Sequence, residues 1–207
     1  MKSGFKVILL AMITVFMMSG SGIAGDTVKF ILRADPASFM ISPDVDGFYI
    51  QGPGIRDEID GSTAWTPSID AGIGFNVGDS VLLDATLGVG WYYGGEALES
   101  SFVTQRLSAR FKLGKTMTLG AQAGLIQFDN LDWKGDYAGS NVQFSSSDGY
   151  LAGLSFTAGS ERVSFSLSVE YVSLDDFDVT TTGGWTPSSN SLDLSGALVN
   201  MGVLLRF

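Results

Sequence analysis

The chain has 207 residues, with 12 Lys and Arg against 22 Asp and Glu, and neither His nor Cys. That length suits one domain, and a formal charge of −10 disfavours nucleic acid, whose phosphates need a basic face. Without Cys an exported chain has no disulfide framework, so backbone pairing and packing must hold the fold.

Residues 1–24 read as a cleaved signal peptide. Lys2 and Lys6 form a positive start, residues 7–18 are apolar, and Gly22 and Ala24 are the small residues before a cut that leaves Gly25 first. The apolar run falls short of the ~20 residues that a membrane-spanning helix needs. No second long apolar run follows, so a mature chain that enters a membrane does so as strands. Residues 25–46 are an N-terminal lead-in with three open readings: a periplasmic segment, a plug or the true first strand. The barrel proper is expected over 47–207. Its first ascending strand is placed at 47–52, extending towards Ile55, with 27–33 as the alternative. Pro53 argues against a long strand there, because proline is tolerated at a strand end or bulge but not within a central ladder.

From Trp65 onward the sequence alternates in segments of about ten residues, the length that a tilted membrane strand requires. In 68–77, Ile69, Ala71, Ile73, Phe75 and Val77 oppose Ser68, Asp70, Gly72, Gly74 and Asn76. Gly78-Asp79 then turns, and 81–93 continues the pattern with Asp84, Thr86, Gly88 and Gly90 on the polar face. Residues 102–113 place Arg106, Arg110 and Lys112 on that face, with Gln105 a blemish among apolar neighbours. Gly114-Lys115 turns into 117–128, and a long polar connection spans 129–148. Residues 150–158 and 163–174 form a further pair around Gly159-Ser160-Glu161, with Glu170 on the polar face. A second polar loop covers 175–190. The last strand runs to Phe207, with Val199, Met201, Val203, Leu205 and Phe207 on its apolar face and Asn200 and Arg206 on the other.

Short turns alternate with long loops, as in a membrane barrel with short periplasmic turns and longer outside loops. Seven clear strands and one preceding ascending strand make an even number. The polar faces are mostly Gly, Ser and Thr, and charged residues are only 16% of the chain and concentrate in loops. A soluble barrel would carry far more Lys and Glu outside, so the apolar face is assigned to lipid. Trp91, Tyr92, Tyr93, Trp133 and Tyr150 fall near one set of strand ends, and Phe75, Phe111 and Phe207 near the other, as two aromatic girdles. Trp65-Thr66-Pro67-Ser68 recurs as Trp185-Thr186-Pro187-Ser188. Interface tryptophans at strand entries account for the echo better than a duplicated ligand site does.

The fold class is therefore all-β: an eight-stranded, antiparallel, up-and-down transmembrane β-barrel in the outer membrane of a Gram-negative cell. Signal, alternation and aromatic last strand together give a chain that resembles the small outer-membrane barrel family of the OmpA transmembrane domain and OmpX. The resemblance covers most of the mature chain as a pattern, and only the final strand as a motif. It implies that Val203, Leu205 and Phe207 are read by the barrel-assembly machinery. It does not set function, because that family includes anchors, adhesins, hydrophobic-solute channels and a few lipid-modifying enzymes.

Asp70, Asp84, Arg106, Arg110, Glu170 and Arg206 fall on the inward face. Eight strands leave an interior just wide enough for side chains to fill. Charges there must pair, which predicts an ionic plug, with a selectivity cluster for a narrow path as the sharper alternative. No catalytic constellation stands out, and the His base that outer-membrane hydrolases use is missing from the sequence. No cofactor is expected. The loops are acidic at Asp57, Glu58, Asp60, Glu96, Glu99, Asp129, Asp132, Asp136, Asp175, Asp176 and Asp178, but match no Ca²⁺-loop spacing. No metal site is assigned. The expected function is a monomeric, non-enzymatic structural or surface-interaction protein, in contact with outer-membrane lipid and lipopolysaccharide. The alternative is a narrow channel or carrier for a small hydrophobic solute, with Leu82, Tyr92, Ile126 and Phe128 lining an apolar pocket.

Overall fold

The computed structural model describes residues 28–95 and 97–207, so the signal-peptide assignment, Gly25 and Glu96 lie outside the described residues. Eight long strands follow one another: β1 (Val28–Ile41), β2 (Ser68–Val77), β3 (Val81–Gly94), β4 (Leu98–Leu113), β5 (Met117–Phe128), β6 (Ser147–Gly159), β7 (Val163–Leu174) and β8 (Gly196–Arg206). Each pairs antiparallel with the next, and β1 pairs with β8 as well as β2, which closes the ring. Closure leaves the ring of eight strands without a free edge, as a bilayer demands.

The exterior is apolar. Leu107 is 68% exposed and Leu154 63%, and Leu83, Val103, Leu119, Leu125, Val169 and Val203 also face outward. A soluble protein would have buried such a band, whereas lipid stabilises it. Trp65, Trp91, Tyr93, Tyr150 and Tyr171 flank the band at one end, and Phe30, Phe111, Phe165 and Phe207 at the other. Trp65 stacks on Tyr93 with ring centroids 5.3 Å apart. Tyr92 and Trp133, expected in the girdle, are instead buried.

The first strand is β1, not 47–52. It was obscured by a change of phase. Ile31, Arg33 and Asp35 point inward, but beyond Pro36 the inward residues are Ser38 and Met40. The register against β8 shifts between Ala34 and Ala37. A bulge accommodates the proline, which has no N–H to donate, and re-aims the strand above it. Trp65 Nε1 donates to the Pro36 carbonyl at 2.9 Å. Opposite the bulge β2 is also broken: Thr63–Trp65 pairs with the top of β1 and of β3, and Thr66-Pro67 separates it from Ser68.

Tyr49–Gly52 forms a rim hairpin with Ile55–Glu58, turning through Pro53 and Gly54, the latter at φ +79°. That positive φ suits glycine and fits a tight turn. The turns 78–80, 114–116 and 160–162 lie at the end where β1 starts and β8 finishes. The long connections 42–67, 129–146 and 175–195 lie at the other. By the rule for bacterial barrels the first end is periplasmic and the second external.

Candidate functional site: the lumen and its outer cap

The lumen is layered. The lower layer centres on Asp84, reached by Arg110 from β4 and Arg206 from β8. Arg110 Nη2 pairs with Asp84 Oδ2. Arg206 Nη2 donates to Asp84 Oδ1 at 2.8 Å and to Oδ2 at 2.9 Å. The middle layer centres on Arg106. Its Nη1 donates to Asp70 Oδ1 and Thr104 Oγ1, both at 2.7 Å, and its Nε donates to Glu170 Oε1 at 3.1 Å. Asn200 Nδ2 donates to Glu170 Oε2 at 2.8 Å and to Ser168 Oγ at 3.1 Å. Ser38 Oγ donates to Asn200 Oδ1 at 2.6 Å.

All six charged residues expected inside are therefore there, in two groups. The sequence reading missed two more, Arg33 and Asp35 on β1. Arg33 Nε lies 2.6 Å from Asp35 Oδ2, and Arg33 Nη2 donates to Ser168 Oγ at 2.9 Å. A phase change recognised at Pro36 would have exposed them. With this pair included, Arg33, Arg106, Arg110 and Arg206 balance Asp35, Asp70, Asp84 and Glu170, all buried or nearly so. Such neutrality matters because an uncompensated charge removed from water costs several kcal/mol (order of magnitude) even after relaxation.

Inward glycines make room for these side chains. A Cβ on Gly88 would fall on the Asp70 carboxylate and the Thr104 hydroxyl, and one on Gly202 would fall on Asp35 and the Ala34 carbonyl. A cavity of ≈20 Å³ lies in the lumen among residues including Thr86, Arg106, Gln122 and Ser155. That is about enough for one water, not a path.

Above the polar layers the interior turns apolar. Met40, Tyr92, Phe102, Ile126, Phe128, Leu151, Val172 and Leu198 are buried there. Phe128 is 5.7 Å from the Tyr92 ring, 5.1 Å from Phe102 and 5.9 Å from Phe177 of the last long loop. The predicted pocket residues Tyr92, Ile126 and Phe128 thus lie in a packed core, while Leu82 belongs to the periplasmic end. The long loops, read as polar connections, carry this core upward. Phe48, Trp133 and Phe144 pack together with ring centroids 6.2–6.3 Å apart. Two small sheets knit the loops: Val142–Phe144 with Phe177–Thr181 and Ser191–Leu192, and Thr186–Pro187 with Tyr49–Gly52 and Ile55–Glu58. Asp57 Oδ2 accepts from Trp133 Nε1 at 3.1 Å and from the backbone N–H of Tyr137 and Ala138 at 3.2 and 3.4 Å.

The two Trp-Thr-Pro-Ser copies part company here. Trp65 sits on the outer wall, whereas Trp185 packs against the cap core and over Gly52. The acidic loop residues do not converge: among the described residues no three lie close enough to hold a metal ion. Val203 and Phe207 face lipid, and Leu205 is half-buried beside them.

Neither a protein-family model nor the sequence of a curated protein matches the chain. Among solved structures it is similar to the outer membrane protein OprG from Pseudomonas aeruginosa, with a TM-score of 0.54 and 14% identity over 89% of this chain and 98% of that one. Ail, the attachment invasion locus protein of Yersinia pestis, gives 0.48 and 10% over 88% and 100%, and Neisserial surface protein A gives 0.44 and 16% over 86% and 97%. The likeness to OprG gives the fold, that of a small outer-membrane β-barrel, and the outward apolar band agrees with residence in that membrane.

Proposed function

We propose that this barrel is a non-enzymatic, monomeric scaffold. On this reading it holds a rigid acidic cap outside the outer membrane for contact with lipopolysaccharide or other surface molecules, and it conducts nothing. The observation that carries the reading is the double seal: a charge-balanced polar plug beneath a buried aromatic core. A channel needs neither feature, and both would have to rearrange to pass a solute. Exposed carboxylates on the cap, among them Asp60, Asp136, Asp175 and Asp176, outnumber its Arg56 and Lys134. Such a surface meets lipopolysaccharide phosphates through divalent cations rather than directly. The strand β8 with Phe207 is the segment offered to the assembly machinery.

The test is planar-bilayer recording of the refolded protein, paired with binding to lipopolysaccharide with and without Mg²⁺. The expected results are a silent bilayer and cation-dependent binding. Stable conductance steps from the unaltered protein would refute the sealed scaffold. Binding that ignores Mg²⁺ and survives neutralisation of the cap carboxylates would refute the role given to the cap.

A further inference from the structure

We infer that the periplasmic mouth of the barrel is a binding vestibule for a phosphate group. A cavity of ≈80 Å³ opens at the short-turn end, lined by Lys29, Arg110, Lys112, Lys115 and Arg206, with Glu161 at its rim. It has room for several waters, or for one tetrahedral oxyanion with part of its hydration shell. Its charge is not an accident of exposed lysines. Arg110 is only 3% exposed, and both it and Arg206 lean on the single carboxylate of Asp84. One carboxylate balances one guanidinium, so the wall of the cavity carries an excess positive charge, and Lys112 and Lys115 together outweigh the Glu161 carboxylate that also lines it.

The interior as a whole is neutral because the middle layer carries the opposite imbalance, Asp70 and Glu170 around Arg106. The lower excess is therefore held at the mouth, displaced along the barrel axis from its compensation. A cleft lined by one sign of charge and walled by low-dielectric packing focuses its field on what enters. Guanidinium and ammonium donors suit phosphate oxygens, and an anion of more than unit charge answers an excess of this size better than a lone carboxylate. The site shares Arg110 and Arg206 with the lower layer of the plug and lies at the opposite end of the molecule from the cap.

Two sources could supply the group, a free phosphate in the periplasm or the headgroup of an inner-leaflet lipid. A groove that shares Lys29, Glu161 and Arg206 with the vestibule runs past Val163, Leu205 and Phe207 to the lipid-facing wall. The experiment uses the full mature chain in maltoside micelles, which contain no phosphate. Inorganic phosphate is titrated against chloride at constant ionic strength, and phosphatidylglycerol is added in a parallel arm and followed by native mass spectrometry. Lys112→Gln/Lys115→Gln is compared with the cap control Lys134→Gln, and heat-modifiable migration confirms that each variant is folded. The double variant is expected to weaken binding about tenfold, the loss of a charge-assisted contact, and the control to leave it unchanged. Phosphate binding that persists with the lipid present assigns a free anion, and its displacement assigns a headgroup. The inference is overturned if neither probe saturates, or if the double variant binds as the parent does.

Discussion

Replacing Arg106 by Met isolates what the plug contributes. Arg106 is almost fully buried and holds Asp70, Glu170 and Thr104 at once. Removing it leaves two carboxylates facing each other across the lumen without their cation. Breaking one buried pair from one side costs about 3–5 kcal/mol, mostly because a charge is left unmatched. With two carboxylates stranded the expected loss is at the upper end, about 5 kcal/mol, less whatever water entry recovers. The triple variant Arg106→Met/Asp70→Asn/Glu170→Gln removes the charges together, and replacing a whole buried ionic group by neutral residues is often close to neutral. It should therefore recover most of the loss. Equilibrium unfolding in urea, read by gel migration and tryptophan emission in lipid vesicles, measures both. A loss under about 1 kcal/mol for the single variant, or a triple variant no more stable than the single one, would refute the argument from unmatched charge.

Three further outcomes follow from other parts of the molecule. Asp57→Ala removes the acceptor that ties the first long loop to 133–138. It should loosen the cap by about 1–3 kcal/mol, seen as faster amide exchange over 129–146 with the barrel strands unchanged. Leu107→Lys places a charge in the middle of the lipid face and should destabilise the inserted barrel by about 2–4 kcal/mol, whereas Ile55→Lys on the cap should cost almost nothing; equal costs would count against a bilayer around Leu107. Phe207 exchanges two backbone hydrogen bonds with Phe30, at 3.0 and 3.1 Å, at the foot of the β1–β8 seam. Deleting it should slow assembly into vesicles and lower the heat-modifiable fraction, and normal insertion would argue against a role in closure.

Seven of the eight strands were legible because lipid on one side and a narrow polar lumen on the other impose strict two-residue alternation. The eighth hid behind Pro36: a bulge advances the phase by one, so counting straight through β1 mixes its two faces. The face of each lumen charge could be read, but not its partner. Pairing depends on side chains meeting across the barrel, as Arg206 of β8 meets Asp84 of β3, and no local pattern encodes that. The cap was least legible. Leu131, Trp133, Val142 and Phe144 are buried but lie in a stretch rich in Asp, Gly and Ser, with no periodicity to mark them. Their burial comes from loops distant in sequence closing over them.

The hairpin 49–58 has a mechanical consequence. Its strand Tyr49–Gly52 follows β1, and its partner Thr186–Pro187 precedes β8. Ser188 N donates to the Tyr49 carbonyl at 2.8 Å, Tyr49 N donates to Ser188 Oγ at 3.1 Å, and Ser42 Oγ donates to the Leu194 carbonyl at 2.7 Å. These bonds straddle the junction where the first and last strands meet. They act as a clasp across the top of the one seam that joins the two ends of the ring. Unzipping the cylinder from outside would have to open the clasp first, so parting begins more readily at the periplasmic foot.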